Sequence, residues 1–351
     1  MPTIRALTFF IPVYDWFSNQ FKKDVENFIF KSLELSDKLE LFQWTTRFVL
    51  PPIPKNSQAK DCSKIVDSIL SFNFKNNILL QAFPVTPDCK CIEDIVDILS
   101  LDDKIYSTIL VSNEADIDGL VNKIYLRDVD PNIYTRISIT YGNWVETAYF
   151  PSTANSRNKF GYSVALRYLD LMSRYLMGEK EPLVGFLKEL KDKILNYEDY
   201  FYGVDYSLSP WMEESVGKLI EERYNITLGG SGTYDAVYKL NKEIHNIVSM
   251  NIVSSTGFNE VMLPVGEDNL LKERVKDKTL KLGHLEGLSS VCVVGLDMVA
   301  IKKDEFIING VLHDMFSIYK IKGKPIGLRI IPIEEDGINL KKFGYLPLID
   351  F

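Results

Sequence analysis

Hydrophobic and polar positions switch between two periods along nearly the whole chain, and that rhythm predicts an α/β protein. Residues 4–13 are mostly apolar and predict a buried first strand, while residues 19–33 carry apolar positions at helical spacing. The pair then recurs. A strand over 42–50 is stopped by Pro51-Pro52-Ile53-Pro54, and a helix over 57–72 follows with Ile65, Ile69 and Leu70 on one stripe. A strand over 78–83, a helix over 92–99, a strand over 107–112, a helix over 115–124 and an alternating strand over 134–141 complete the first half. Repeated strand–helix steps of this kind imply mainly parallel pairing with helical crossovers.

A long loop over 142–158 interrupts the rhythm, and loops of that length inside a compact domain are usually functional or mobile. Helices are predicted over 159–177 and 182–197, the second with Pro182 at its first position. The second half then reads as a strand over 203–208, helices over 213–224 and 231–247, and a strand over 249–255. Helices over 268–276 and 282–288, a strand over 293–301, a helix capped by Asp304 and running to about 319, and strands over 325–331 and 345–349 follow. With no linker, repeat or low-complexity segment, the expectation is one domain over 1–351. Its two half-sets of strands, about 1–141 and 201–351, flank the loop and helices of 142–200.

Composition narrows the classes of function. A chain of 351 residues with 46% hydrophobic and 25% charged residues buries a full core without disulfides. Its net charge of -8 argues against a nucleic-acid partner, which needs a basic patch. The longest apolar stretch, 291–301, contains Asp297 and is too short to span a membrane. Residues 6–13 are interrupted by Pro12 and lack a cleavage site, so the expectation is a cytoplasmic protein. Four cysteines in a chain of this length fit a reducing compartment. Cys89-Lys90-Cys91 supplies two thiols where a structural zinc needs about four ligands, and the three histidines are scattered. These cysteines read as the loop before a helix, no metal is expected, and no motif names a cofactor.

Ligands of α/β sheets and barrels bind beyond the carboxyl ends of the strands. Four segments place polar or small residues there. Asp205, Ser207 and Ser209 share one face of a strand, where they form either a site or a network that satisfies itself. Gly229 to Thr233 opens a helix and offers backbone N–H groups to an anion, but lacks the spacing of a P-loop or dinucleotide fingerprint, so a tight turn is the alternative. Asp297, in an apolar strand after Cys292, is costly to bury unless paired or functional, whereas Cys292 alone reads as an inert core thiol. Arg329 lies in another buried strand and needs a carboxylate, from a ligand or from Asp205 or Asp297. Glu146 joins these candidates from the long loop.

The same segments carry a family resemblance. Gly203-Val204-Asp205-x-Ser207-Leu208-x-Pro210, Ser215-Val216, Gly229-x-x-Gly232-Thr233 and Leu263-Pro264-Val265-x-Glu267-Asp268 occur in order. Cys292-x-x-Gly295-Leu296-Asp297-Met298, Arg329-Ile330-Ile331-Pro332 and Phe343-Gly344 complete the series. Residues 203–344 thereby resemble the "domain of unknown function 711" family, and the first half matches only loosely. The resemblance implies a ten-stranded α/β barrel like that of pyruvate formate-lyase, built from two parallel half-barrels with helices outside; it implies no reaction. Ser231 stands where bacterial members of the family carry a histidine, and Glu146-Thr147-Ala148-Tyr149-Phe150-Pro151 replaces their Asn-Pro-Phe-Met segment. Glycyl-radical chemistry between Gly344 and Cys292 is not expected, because Lys341-Lys342 replaces the Arg-Val pair of such enzymes.

These residues fit two competing functions. In one, an enzyme holds a small anionic metabolite through Gly229, Gly232, Thr233 and Arg329, and Asp205, Asp297 or Cys292 carries the chemistry. In the other, the same pocket binds a small-molecule ligand without turnover. A homo-oligomer is the prior for a protein of this size.

Overall fold

The computed structural model describes residues 4–70, 78–291 and 295–351. The chain forms two interleaved compact units, the first from Met1–Leu110, Trp144–Tyr206 and Met250–Gly257, the second from Val111–Asn143, Ser207–Ser249 and Phe258–Phe351. Its elements run β1 (Ile4–Phe10), α1 (Phe21–Leu39), β2 (Gln43–Val49), α2 (Ala59–Leu70), β3 (Ile78–Val85), α3 (Ile95–Leu99), β4 (Ile105–Val111) and β5 (Ile137–Tyr141). They continue as β6 (Gly161–Leu166), α4 (Leu169–Leu176), α5 (Glu181–Ile194), β7 (Phe201–Asp205), α6 (Val216–Tyr224) and α7 (Thr233–Ser249). The remainder is α8 (Asn269–Lys276), α9 (Leu282–Leu288), β8 (Leu296–Lys302), α10 (Glu305–Lys322), β9 (Ile326–Ile333), β10 (Gly337–Leu340) and β11 (Gly344–Pro347). The α/β class expected from the rhythm holds.

In the first unit the strand order is β7-β6-β1-β2-β3-β4. Pairing is parallel from β1 through β4 and between β6 and β7, but antiparallel where β1 meets β6. Every residue of β1 and β6 is buried, as strands covered on both faces must be. In the second unit β5 pairs antiparallel with β9, and β9 parallel with β8. The hairpin of β10 and β11 stands apart as a two-stranded sheet.

Several local expectations change. The helix predicted over 159–177 is instead β6 followed by α4, because a run buried on both faces loses the alternation that marks a strand. The strand predicted over 134–141 begins as a 3-10 turn, Pro131–Arg136, and only β5 is extended. The helix over 115–124 is a 3-10 turn, Glu114–Ile117, and a π-helical turn, Val121–Tyr125. Residues 249–255 form no strand; Val204 pairs with their end, its N–H donating to the Ser254 carbonyl at 2.8 Å and its carbonyl accepting from the Thr256 N–H at 2.9 Å. A Cβ on Gly203, at φ 141°, would lie 2.6 Å from the Ser255 carbonyl carbon, so the crossing requires glycine.

Helix starts follow the capping rules. Ser215 caps α6, Asp268 caps α8 and Asp304 caps α10, each accepting backbone N–H groups of the first turn. Between α9 and α10, burial first and the nearby Asp314 second push the Glu286 carboxyl from 4.5 up to about 7. The folded state therefore holds this proton more tightly than the unfolded chain. The stability tied to it is complete below about pH 4.5 and is lost as pH rises through 7. Because Glu286 is partly exposed, solvent screening leaves about 1 kcal/mol of the effect. Urea titrations at pH 5 and pH 8 should show Glu286→Gln gaining about 1 kcal/mol over wild type at the higher pH only; equal gains at both pH values would contradict the assignment.

Candidate functional site

The sequence candidates fall into separate groups. In the first unit, Asp205 ends β7 and is fully buried. Its Oδ2 accepts the Thr147 hydroxyl at 2.5 Å, and a Cβ on Gly257 would sit 2.1 Å from the same oxygen. Gly257 has φ 72°, so glycine both permits the turn and lets the chain close over the carboxylate. The loop that carries Thr147 is not a solvated lid. Thr147, Ala148, Ala154 and Asn155 are fully buried, and the Ala148 carbonyl accepts from Thr8 Oγ1 at 3.1 Å and Arg47 Nη1 at 3.0 Å. Glu146 is buried within the same loop, where its Oε1 accepts from Ser156 and from the Arg157 N–H while its Oε2 pairs with Arg157 Nε at 2.6 Å. The Arg157 guanidinium also covers the Tyr202 ring at 4.7 Å.

In the second unit the strand pairing sets Asp297 opposite Arg329. Arg329 Nε donates to Asp297 Oδ1 at 2.6 Å and Nη2 to Oδ2 at 2.9 Å, the two-pronged geometry that suits a guanidinium. Nη2 also reaches Glu267 Oε1 at 2.8 Å, and Nη1 donates to the Thr135 carbonyl at 3.2 Å. Of the two carboxylates that the sequence offered Arg329, Asp297 takes it, and Glu267 joins as an unforeseen third member. Burial pushes the Asp297 carboxyl above its ordinary range against the pull of Arg329. Asp297 lies near the amino end of β8, not beyond its carboxyl end, because β8 starts at Leu296. Cys292 lies outside the described residues.

The glycine loop closes on itself. The Gly229 N–H donates to the Thr233 hydroxyl at 3.1 Å, that hydroxyl donates to the Gly230 carbonyl at 2.8 Å, and the Gly230 N–H donates to the Thr227 carbonyl at 2.9 Å. A Cβ on Gly229 would meet the Thr279 carbonyl oxygen at 1.9 Å, which ties this glycine to a close backbone approach. Gly232, also at positive φ, precedes the first turn of α7. Ser207 accepts from the Glu260 N–H at 3.2 Å, and Ser209 is buried nearby along the chain.

That contact leads to a cleft of about 400 Å³ that sequence reasoning missed. One wall is α7, with Tyr238, Asn241, Lys242 and His245; the other is the end of α10 with Lys322 and Lys324. Glu260 lies in the floor, its Oε2 bound by Lys322 at 2.8 Å and its Oε1 by Lys324 at 3.5 Å. Asn241 holds the floor together, accepting the Val261 N–H at 2.6 Å and donating to the Val291 carbonyl. Lys322 also donates to the Ser289 carbonyl at 3.2 Å. With three lysines around one carboxylate, the cleft keeps an excess of positive charge although the chain as a whole is acidic. The helical spacing of Tyr238, Asn241, Lys242 and His245 puts them on one face, which the sequence could have revealed. The partners from 260 and 322–324 are visible only in three dimensions.

Among the described residues, no three His, Cys, Asp or Glu side chains are placed to hold a metal ion, and no helix is long and apolar enough to cross a membrane.

Comparison with known proteins gives the second half its kinship. A "UPF0210 protein" of Bifidobacterium adolescentis is 32% identical over 155 residues, covering 42% of this chain and 34% of the relative. A "UPF0210 protein" of Clostridium perfringens is 34% identical over 148 residues, covering 41% of this chain and 33% of its own. One of Streptococcus pneumoniae is 33% identical over 147 residues with the same two shares. The matches thus span about a third of each relative's length. The family model described as "Uncharacterised ACR (DUF711)" matches residues 189–338, a segment that takes in Asp205, the glycine loop, Glu260, the Arg329 cluster and both walls of the cleft. Residues 189–338 are thus similar to that family.

Proposed function

We propose that the protein binds a small carboxylate- or phosphate-bearing metabolite in the cleft between α7 and the end of α10. The observation that carries this reading is the convergence of Lys242, His245, Lys322 and Lys324 on one concavity of about 400 Å³ with Glu260 as its acidic member. Clefts of this size suit small molecules, and a few fixed polar groups orient them. Lys322 is held by Glu260 and Ser289, so it presents a positioned charge, while the more exposed Lys242 and Lys324 adapt to the ligand. The Arg329 cluster fits less well as the anion site, since Asp297 and Glu267 already occupy the guanidinium.

Inorganic phosphate and malonate, titrated separately, serve as probes. One of them should raise the melting temperature of the wild type, because a ligand at 100 times its Kd adds about 2.7 kcal/mol. Lys242→Ala combined with Lys324→Ala should weaken that ligand at least tenfold with little change in the unliganded melting point. An unchanged shift in the double variant would move the site elsewhere.

An enzyme reading rests on Asp205, a buried carboxylate at the carboxyl end of β7, where ligands approach sheets of this class. Turnover lost in Asp205→Asn with ligand binding kept would favour it. The antiparallel junctions β1/β6 and β5/β9 are what two internally parallel half-sets require, and they support the half-barrel plan.

A further inference from the structure

Three of the chain's four cysteines meet in the first unit. Cys62 is carried by α2, whereas Cys89 and Cys91 lie in the turn that leaves β3 and enters the 3-10 turn Ile92–Asp94. All three are buried free thiols. The Cys89 and Cys91 sulfurs are 2.8 Å apart, and the Cys91 thiol also hydrogen-bonds that of Cys62. The carbonyl oxygens of Pro54 and Ser57 each lie 4.0 Å from the Cys89 sulfur, and the buried Ser57 hydroxyl has no hydrogen-bond partner. Packing alone does not account for this arrangement. A buried cysteine usually serves as a small hydrophobe against apolar neighbours, whereas here sulfur faces sulfur beside an unsatisfied hydroxyl.

We propose that Cys89 and Cys91 form a reversible dithiol–disulfide couple, a modification site for small-molecule disulfides such as oxidised glutathione. The turn that holds the pair lies at the surface. Asp88 and Lys90 are exposed on either side of Cys89, and the turn is tied down by the exposed Lys55–Asp88 ion pair, a weak kind of restraint. Hydrogen bonding and burial raise both thiols, Cys91 to about 12, so the closed turn keeps them protonated and unreactive. When the turn opens, the Cys89 thiol loses its proton and attacks one sulfur of the oxidant, releasing one small thiol. The Cys91 thiolate then attacks the Cys89 sulfur of the mixed disulfide and releases the second. Two S–H bonds break and one S–S bond forms, while the oxidant's disulfide is reduced to two thiols. With one residue between the cysteines the ring is short, and strained disulfides are the readily reduced, labile ones. Cys62 contacts Cys91 and is the alternative partner when Cys89 is absent.

The full-length wild-type chain, equilibrated in graded mixtures of reduced and oxidised glutathione, quenched in acid, alkylated and mapped by peptide mass spectrometry, tests this. The expected result is a Cys89–Cys91 disulfide on one peptide, two hydrogens lighter than the dithiol and reversed by reduced glutathione. Cys62→Ser should keep it, and Cys89→Ser should redirect oxidation to Cys62–Cys91. Four alkylatable thiols in the most oxidising mixture, or a disulfide confined to Cys292 or to linked chains, would overturn the proposal. Because the wild type itself decides, a variant that fails to fold leaves the test intact.

Discussion

Replacing Arg329 with methionine is expected to lower stability by about 3–5 kcal/mol, seen as a fall in the urea midpoint of the transition that reports the second unit. The guanidinium pairs with both Asp297 and Glu267, and all three side chains are buried. Removing it leaves two carboxylates facing one another out of water, so at least one must take up a proton for the fold to persist. The Thr135 carbonyl also loses a donor. Lysine should recover only part of the loss, since one ammonium cannot reproduce the two-pronged contact to Asp297 while reaching Glu267. Replacing all three residues by apolar ones of similar volume should cost less than removing Arg329 alone, because the penalty lies in the uncompensated charge. A loss below 1 kcal/mol for Arg329→Met would show that the cluster is not a closed ionic unit.

The second large effect is expected at Asp268. Its Oδ1 accepts the N–H groups of Leu270 at 3.0 Å and Leu271 at 3.4 Å, and its Oδ2 accepts that of Gly217 at 3.0 Å. One carboxylate thus caps α8 and ties it to the first turn of α6, at a site with no exposure. Asp268→Ala leaves these donors without their acceptor, those of Leu271 and Gly217 at buried positions, and a loss of about 2–4 kcal/mol follows from adding a cap to an unsatisfied buried donor. Asparagine retains one acceptor oxygen and should cost roughly half as much. Hydrogen exchange distinguishes the mechanism: the amides of Gly217, Leu270 and Leu271 should lose protection before the rest of the unit. Uniform loss across the unit would point to packing rather than capping.

Caps and apolar runs were the most legible parts of the sequence. Asp304 announced its helix because a short acceptor before an apolar period satisfies N–H groups that nothing else can reach. The strand β6 was not legible, since Gly161–Leu166 is buried on both faces and its alternation is erased. The candidate chemistry was legible one residue at a time. Asp297 and Arg329 each stood out as a charge in an apolar strand, and each needed a partner. Glu267, the third member, stood only within a family motif, because its contact with Arg329 depends on how a turn packs against two strands. The cleft went unseen for the same reason: Glu260, Lys322 and Lys324 are ordinary surface-type residues until the end of α10 lies beside α7.

By itself the sequence determined the α/β class, most element positions and the places where a charge had to be neutralised. These depend on local periodicity, capping and the cost of burying charge, which act within a few residues. Only the tertiary structure decided strand direction at β1/β6 and β5/β9, the choice of Asp297 over Asp205 for Arg329, and the meeting of Cys62 with Cys89 and Cys91. Each is a contact between segments far apart in the chain, set by which packing buries the most apolar surface while leaving the fewest polar groups unpaired.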